Sequence, residues 1–307
     1  MLLLSQFISN VITIYWDNVN SIQAELFVQS DDASVTVLGG ELSGPFCCNA
    51  HTLSSRYALR PCGDKEQQVL KVVLPDPCFW SPGAPFLYQL EIKVCINEEP
   101  ESSHSFPLGI RPLTIRGHDF FYAERRYVMR IVDVPQAVQK TQDIETALEA
   151  CHETGAVLLM RRPDEAIFQE ATQKGVLLAA QIESTHPDQV QSELNKYALW
   201  PAVGMVVLPR ELVLEMPLRP PVSSLIRAVE YRHGESVPPW AQVLIVKEQC
   251  LGEASLQEEK RPQIVCCPID SAASIVAARR ICDDLQQRTV AWQQIAGYLA
   301  LSKGALY

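Results

Sequence analysis

Gly155-Ala-Val-Leu-Leu-Met160, followed by Gly175-Val-Leu-Leu-Ala-Ala180, decides the fold. In each, a glycine closes a helix and a short apolar run follows at once. Between them Ile167, Phe168 and Ala171 recur at helical spacing. A strand with no polar alternation is one buried on both faces, as in a parallel sheet covered by helices. The same alternation extends outward in both directions. Tyr127-Val-Met-Arg-Ile-Val132 predicts a strand. Asp143 predicts the cap of a helix that buries Ile144, Ala147, Leu148 and Cys151. A helix on Val190, Leu194 and Tyr197 leads to a strand at Val203-Gly-Met-Val-Val-Leu208. Leu225, Ile226 and Val229 read as one more helix. Ala241-Gln-Val-Leu-Ile-Val246 and Gln263-Ile-Val-Cys-Cys267 read as strands. A helix on Ile275, Ala278, Cys282 and Leu285 precedes a last strand at residues 295–301.

Repeated strand–helix units imply a parallel sheet with helices outside it, and this many repeats favour a barrel over an open sheet. Seven strands are plain, and an eighth is missing or hidden between Leu212 and Arg261. The expectation is a small, incomplete TIM (β/α)8-type barrel of roughly 190 residues, below the usual size.

Upstream the signals are short and β-like. Ile22-Gln-Ala-Glu-Leu-Phe-Val28, Ala33-Ser-Val-Thr-Val-Leu38, Gln68-Val-Leu-Lys-Val-Val-Leu74, Leu87-Tyr-Gln-Leu-Glu-Ile-Lys-Val94 and Leu113-Thr-Ile115 predict a β-sandwich. The expected fold class is therefore multidomain β plus α/β. Residues 1–20 are expected to be a remnant strand or leader, 21–116 an immunoglobulin-like sandwich and 117–307 the barrel.

A net charge of -10 argues against a nucleic-acid partner, which requires a basic face. No apolar run is long enough for a membrane span. The first residues, Met1-Leu-Leu-Leu-Ser-Gln-Phe-Ile8, lack the basic start and cleavage site of a signal peptide. With ten cysteines in a chain of this length, reduced thiols and a cytoplasmic location are expected. Neither Cys47-Cys48 nor Cys266-Cys267 has metal-ligand spacing, so no metal and no cofactor are expected. Trp80 and Trp292 read as packing or interface residues before ligand platforms.

Phe79-Trp-Ser-Pro-Gly-Ala-Pro-Phe-Leu-Tyr88 resembles the Trp-Ser-Pro signature of glycoside hydrolase family 2, the β-galactosidase, β-glucuronidase and β-mannosidase group. Leu108-Gly-Ile-Arg111 resembles the Gly-Phe-Arg that follows the family's sandwich. Residues 120–132 resemble its barrel-entry strand, with Arg130 at the family's arginine. Ala296-Gly-Tyr-Leu-Ala300 is similar to its last barrel strand. The resemblance implies a glycan or glycoside as partner, and a retaining site with two carboxylates about 5–5.5 Å apart.

Mapped onto the family's pattern, the acid/base position is Glu211. The Gly-Asn expected before it is Pro209-Arg210, which sets a cation beside the carboxylate and opposes the raised pKa an acid needs. The nucleophile position is Cys267, where a buried strand-end thiol replaces a glutamate; Asp270 is the nearest carboxylate in sequence. Asp133, Arg161, Gln181 and Arg210 fall at substrate-binding positions, and Pro135-Gln136 replaces the family's His-Glu. The expectation is a family 2-like protein with weak or no glycosidase activity. The alternative is an active, atypical retaining β-glycosidase using Glu211 as acid/base. If the register is right, Asp133, Arg161, Gln181, Glu211, Lys247 and Cys267 face a common space.

Overall fold

The computed structural model describes residues 11–30, 32, 34–63, 69–96, 101–133, 141–214, 222–270 and 274–302. Residues 1–10 and Pro135-Gln136 lie outside them. The chain divides into two compact units. One is Met1–Arg111 with Gln191–Pro201 and Leu218–Ser224; the other is Pro112–Val190, Ala202–Pro217 and Leu225–Tyr307.

In the first unit, two antiparallel sheets of four strands share one core. One orders Ile12–Asp17, Gln23–Ser30, Val69–Pro75 and Arg60–Cys62. The other orders Ser102–Leu108, Leu87–Ile96, Val35–Phe46 and Ser55–Ala58. Side chains alternate across a strand, so one face of each sheet supplies the core. Ala24, Leu26 and Val28 do so from one sheet, and Tyr88, Leu90, Ile92 and Val94 from the other. The Trp-Ser-Pro segment belongs to this packing. Trp80 is wholly buried, its N–H donates to the Ile110 carbonyl at 2.9 Å, and the Tyr88 hydroxyl accepts from the Cys78 N–H at 2.8 Å.

Leu113–Arg116, expected as the last sandwich strand, pairs instead with Asp119–Tyr122, which pairs with Arg125–Tyr127. The reason is local. Gly117 takes φ 59° in a two-residue loop with His118, which folds the chain straight back into a hairpin.

The barrel follows and is closed, with all neighbours parallel. Its strands are β1 Met129–Asp133, β2 Val157–Arg161, β3 Leu178–Gln181, β4 Val203–Val207, β5 Ile226–Glu230, β6 Val243–Lys247, β7 Gln263–Ile269 and β8 Ile295–Ser302. The helices are α1 Thr141–Thr154, α2 Glu165–Lys174, α3 Pro187–Ala198, the single turn α4 Ala254–Gln257, and α5 Ile275–Arg288. Asp164 caps α2 by accepting from the Ile167 N–H at 2.9 Å, and Gly175 ends it in the left-handed conformation. Asp143 is the third residue of α1, inside its first turn, where its charge meets the helix dipole, and not the cap expected of it. Gly297 lets the barrel seam close, because a Cβ there would lie 2.8 Å from the Met129 carbonyl oxygen.

The strand absent from the sequence reading is β5, taken there for a helix on Leu225, Ile226 and Val229. The barrel is complete. What hid β5 is Arg227, a buried cation in the middle of the run. Its Nε donates to the Trp240 carbonyl at 3.1 Å and its Nη1 to the Leu225 carbonyl at 2.9 Å. Those bonds let a guanidinium occupy a position where periodicity expects an apolar residue. The barrel is small for a different reason. Full helices follow β1, β2, β3 and β7, whereas among the described residues β4, β5 and β6 are followed only by loops, 3-10 turns and α4.

Candidate active site

Directly paired residues on neighbouring parallel strands point to the same side, so the barrel register sorts lumen from outer face. Following the ladder round, Asp133 aligns with Leu159, and Arg161 aligns with Gln181. Gln181 aligns with Val207, Val207 with Ala228, and Glu230 with Ile245. Lys247 aligns with Cys266, Cys266 with Leu299, and Leu299 with Ile131. These residues and their alternates form one face. Its upper rim carries Asp133, Arg161, Gln181, Glu230, Lys247 and Cys266, at the carboxyl ends of the strands where barrel enzymes build their sites. Cys267, aligned with Ala300, is on the opposite face, toward the helices.

Asp133 and Arg161 form a buried pair. The Asp133 side chain is fully buried and its Oδ2 lies 3.4 Å from Arg161 Nη2, while also accepting the Ser302 N–H at 3.1 Å. Gln181 sits beside Arg161, 1% exposed. The other half of the rim is a chain of ion pairs. Glu230 Oε1 is 2.9 Å from Lys247 Nζ, and its Oε2 is 3.8 Å from Arg232 Nε. The hydrogen bond to Glu230 holds the Lys247 ammonium above its ordinary pKa. Arg232 Nη1 is 3.3 Å from Glu211 Oε1.

Glu211 itself is displaced from the lumen face. After β4 the chain turns, with the Leu212 N–H donating to the Pro209 carbonyl at 3.2 Å, and the Glu211 side chain is left 61% exposed. Arg210 is drawn the other way. Its Nε pairs with Glu235 at 2.6 Å, and its Nη1 and Nη2 donate to the carbonyls of Glu230 and Ser236. Its charge is therefore spent on the loop after β5.

The two cysteines divide by register. Burial pushes the Cys266 thiol up to about 12, with Glu230 adding to the effect and Lys247 opposing it. A thiol so placed stays protonated and is a poor nucleophile. Cys267 is raised as well, first by burial and then by Glu248, with Arg288 of α5 opposing. Thus Asp133, Arg161 and Gln181 come together, and Lys247 joins Glu230 and Cys266. Glu211 and Arg210 stand at the margin, and Cys267 faces away. Glu230 and Arg232 were missed in the sequence because β5 reads there as a helix, and Cys266 because the lumen position of β7 was set one residue later, at Cys267. The available signal was Glu230 itself, a carboxylate at the end of an apolar run. Among the described residues no group of His, Cys, Asp or Glu is arranged to hold a metal ion.

The chain thus joins a β-sandwich to a closed parallel barrel with paired charges at its carboxyl-end rim. Residues 22–111 match the model of Glycosyl hydrolases family 2. Solved structures extend the likeness of fold over the barrel. The β-glucuronidase of Parabacteroides merdae superposes with a TM-score of 0.61 at 13% identity, over 95% of this chain and 47% of that one. The Bacteroides uniformis β-glucuronidase gives 0.60 at 14%, over 96% and 45%. A glycosyl hydrolase family 2 member from Bacteroides cellulosilyticus gives 0.60 at 13%, over 95% and 45%. The chain spans about half the length of these proteins. No curated protein matches it in sequence.

Proposed function

We propose that this protein keeps the family 2 glycosidase fold without efficient hydrolysis, and that its barrel mouth serves recognition of a glycan. The observation that supports this reading most is the lumen face of β7. It presents Cys266 and then Pro268, and no carboxylate, where a retaining enzyme needs its nucleophile. The acid/base candidate fits the same reading. Glu211 is mostly exposed and salt-bridged to Arg232, so it stands outside the closed, desolvated setting an acid catalyst uses. A cytoplasmic location is part of the proposal. No pair of the ten cysteines is disulfide-bonded, and no helix among the described residues is long and apolar enough to cross a membrane.

One observation favours the alternative, an atypical retaining glycosidase. Arg232 touches both Glu211 and Glu230, so two carboxylates share one guanidinium. Hydrolysis of aryl β-galactoside, β-glucuronide, β-mannoside and β-glucoside by the purified protein, Glu211→Gln and Glu230→Gln decides between them. The expected result is no turnover above background in any of the three. Turnover lost in both variants would establish the alternative and identify Glu230 as the second carboxylate.

A further inference from the structure

The opposite end of the barrel holds a cavity unlike the mouth. It lies where the β6–β7 connection meets the loop between α5 and β8, and it encloses about 290 Å³. Its polar lining consists of carboxamides and one imidazole: Gln257, Gln263, Gln293, Gln294 and His118. Among the described residues no carboxylate, ammonium or guanidinium lines it. Trp292, 37% exposed, forms part of its wall.

The geometry points to a binding site for a neutral carbohydrate, about one pyranose unit in size, on this amino-end face of the barrel. Sugars present an apolar ring face of C–H groups edged by hydroxyls. A partly exposed tryptophan beside amide groups complements both features, since one surface is apolar and the other hydrogen-bonds without charge. The volume is near the low end of the range for small-molecule pockets, which suits a single sugar. The amides are held in place. Gln263 Nε2 donates to the Leu256 carbonyl at 2.8 Å and to Gln294 Oε1 at 3.0 Å, and Gln294 Nε2 donates to the Gln257 carbonyl at 2.7 Å. Gly252 sets the tryptophan. At φ 99° it is in a conformation that side chains rarely adopt, and a Cβ there would meet the indole Cη2 at 3.3 Å.

This site stands apart from the mouth, and the inference does not depend on whether the mouth hydrolyses anything. The test is ligand-observed NMR titration of the whole chain with methyl β-D-glucopyranoside and methyl β-D-galactopyranoside, with methyl β-D-glucuronide as the charged control. The neutral glycosides should bind and the glucuronide should bind more weakly. Trp292→Ala should weaken binding about tenfold, a loss of one aromatic stacking contact. Trp292→Phe keeps a ring over Gly252, should remain folded by circular dichroism, and should bind several-fold more weakly than the parent. Glu153→Gln, an exposed position on α1 that lines neither the cavity nor the mouth, should leave the affinity unchanged. No binding of either neutral glycoside at tens of millimolar would overturn the inference. So would binding that is lost in the Glu230 variant and survives in both Trp292 variants, because the sugar would then sit at the mouth.

Discussion

The two ends of the barrel solve the problem of burying polar groups in opposite ways. At the carboxyl-end rim, charges are matched against charges: Asp133 with Arg161, Glu230 with Lys247 and Arg232, Arg210 with Glu235. At the amino end, carboxamides bond one another and nearby carbonyls, and leave a neutral cavity walled by Trp292. A rim whose cations and carboxylates already satisfy each other can hydrogen-bond a sugar but keeps no carboxylate free to react with it. The amide-lined end holds no ion pair to break, although Gln263 and Gln294 already bond within the protein. A barrel's catalytic end is therefore recognised by how its charges are committed, and not by their presence.

The largest expected effect breaks the rim at its most buried pair. Asp133→Asn removes a carboxylate whose side chain is fully buried and leaves the nearby Arg161 charge, 12% exposed, without it. Removing one partner of a buried pair costs about 3 kcal/mol, the lower end of the usual range because Arg161 keeps some contact with water. Urea unfolding at neutral pH reads this directly. A loss below about 1 kcal/mol would mean that water reaches the pair and that the rim is open.

A second, pH-dependent test concerns Cys266. Burial raises its folded-state pKa to about 12 from the ordinary thiol value of 9.0. A group whose pKa is raised by folding contributes stability that is full below the unfolded pKa and is lost as pH rises toward the folded one. Between pH 9 and pH 12 the unfolded chain sheds a proton that the folded chain keeps, at about 1.4 kcal/mol per pH unit. Cys151, also raised to about 12, and Cys282, raised to about 11, act in the same direction from positions behind the barrel wall. Cys266→Ala should make the alkaline decline of the urea midpoint shallower, with Cys267→Ala changing it less. An equal effect from both cysteines would contradict the assignment of Cys266 to the lumen.

Much of the architecture was legible in the sequence, because apolar periodicity reports burial. The glycine-closed helices, the doubly buried strands and the Trp-Ser-Pro segment all read correctly for that reason. β5 did not, because Arg227 is buried through carbonyl bonds that no periodicity encodes. That single misreading also concealed Glu230 and Arg232, the residues that organise half of the rim. The choice between Cys266 and Cys267 was illegible for another reason. Adjacent residues on a strand face opposite sides, so a register uncertain by one exchanges lumen for helix layer. The amide cavity was illegible because its lining comes from four separated segments, joined only when the barrel closes.

The smallest expected effect tests the margin of the rim. Glu211 is 61% exposed, and Arg232, its partner at 3.3 Å, is 35% exposed. An exposed pair contributes little, so Glu211→Gln should change stability by less than about 0.5 kcal/mol. The contrast with Asp133→Asn is the informative quantity, because both variants delete one carboxylate charge from the same end of the barrel. If Glu211 instead stood in a closed, desolvated site with a neighbouring carboxylate, neutralising it would relieve repulsion and raise stability. A stabilising Glu211→Gln would thus revive the catalytic reading through thermodynamics alone, before any substrate had been found.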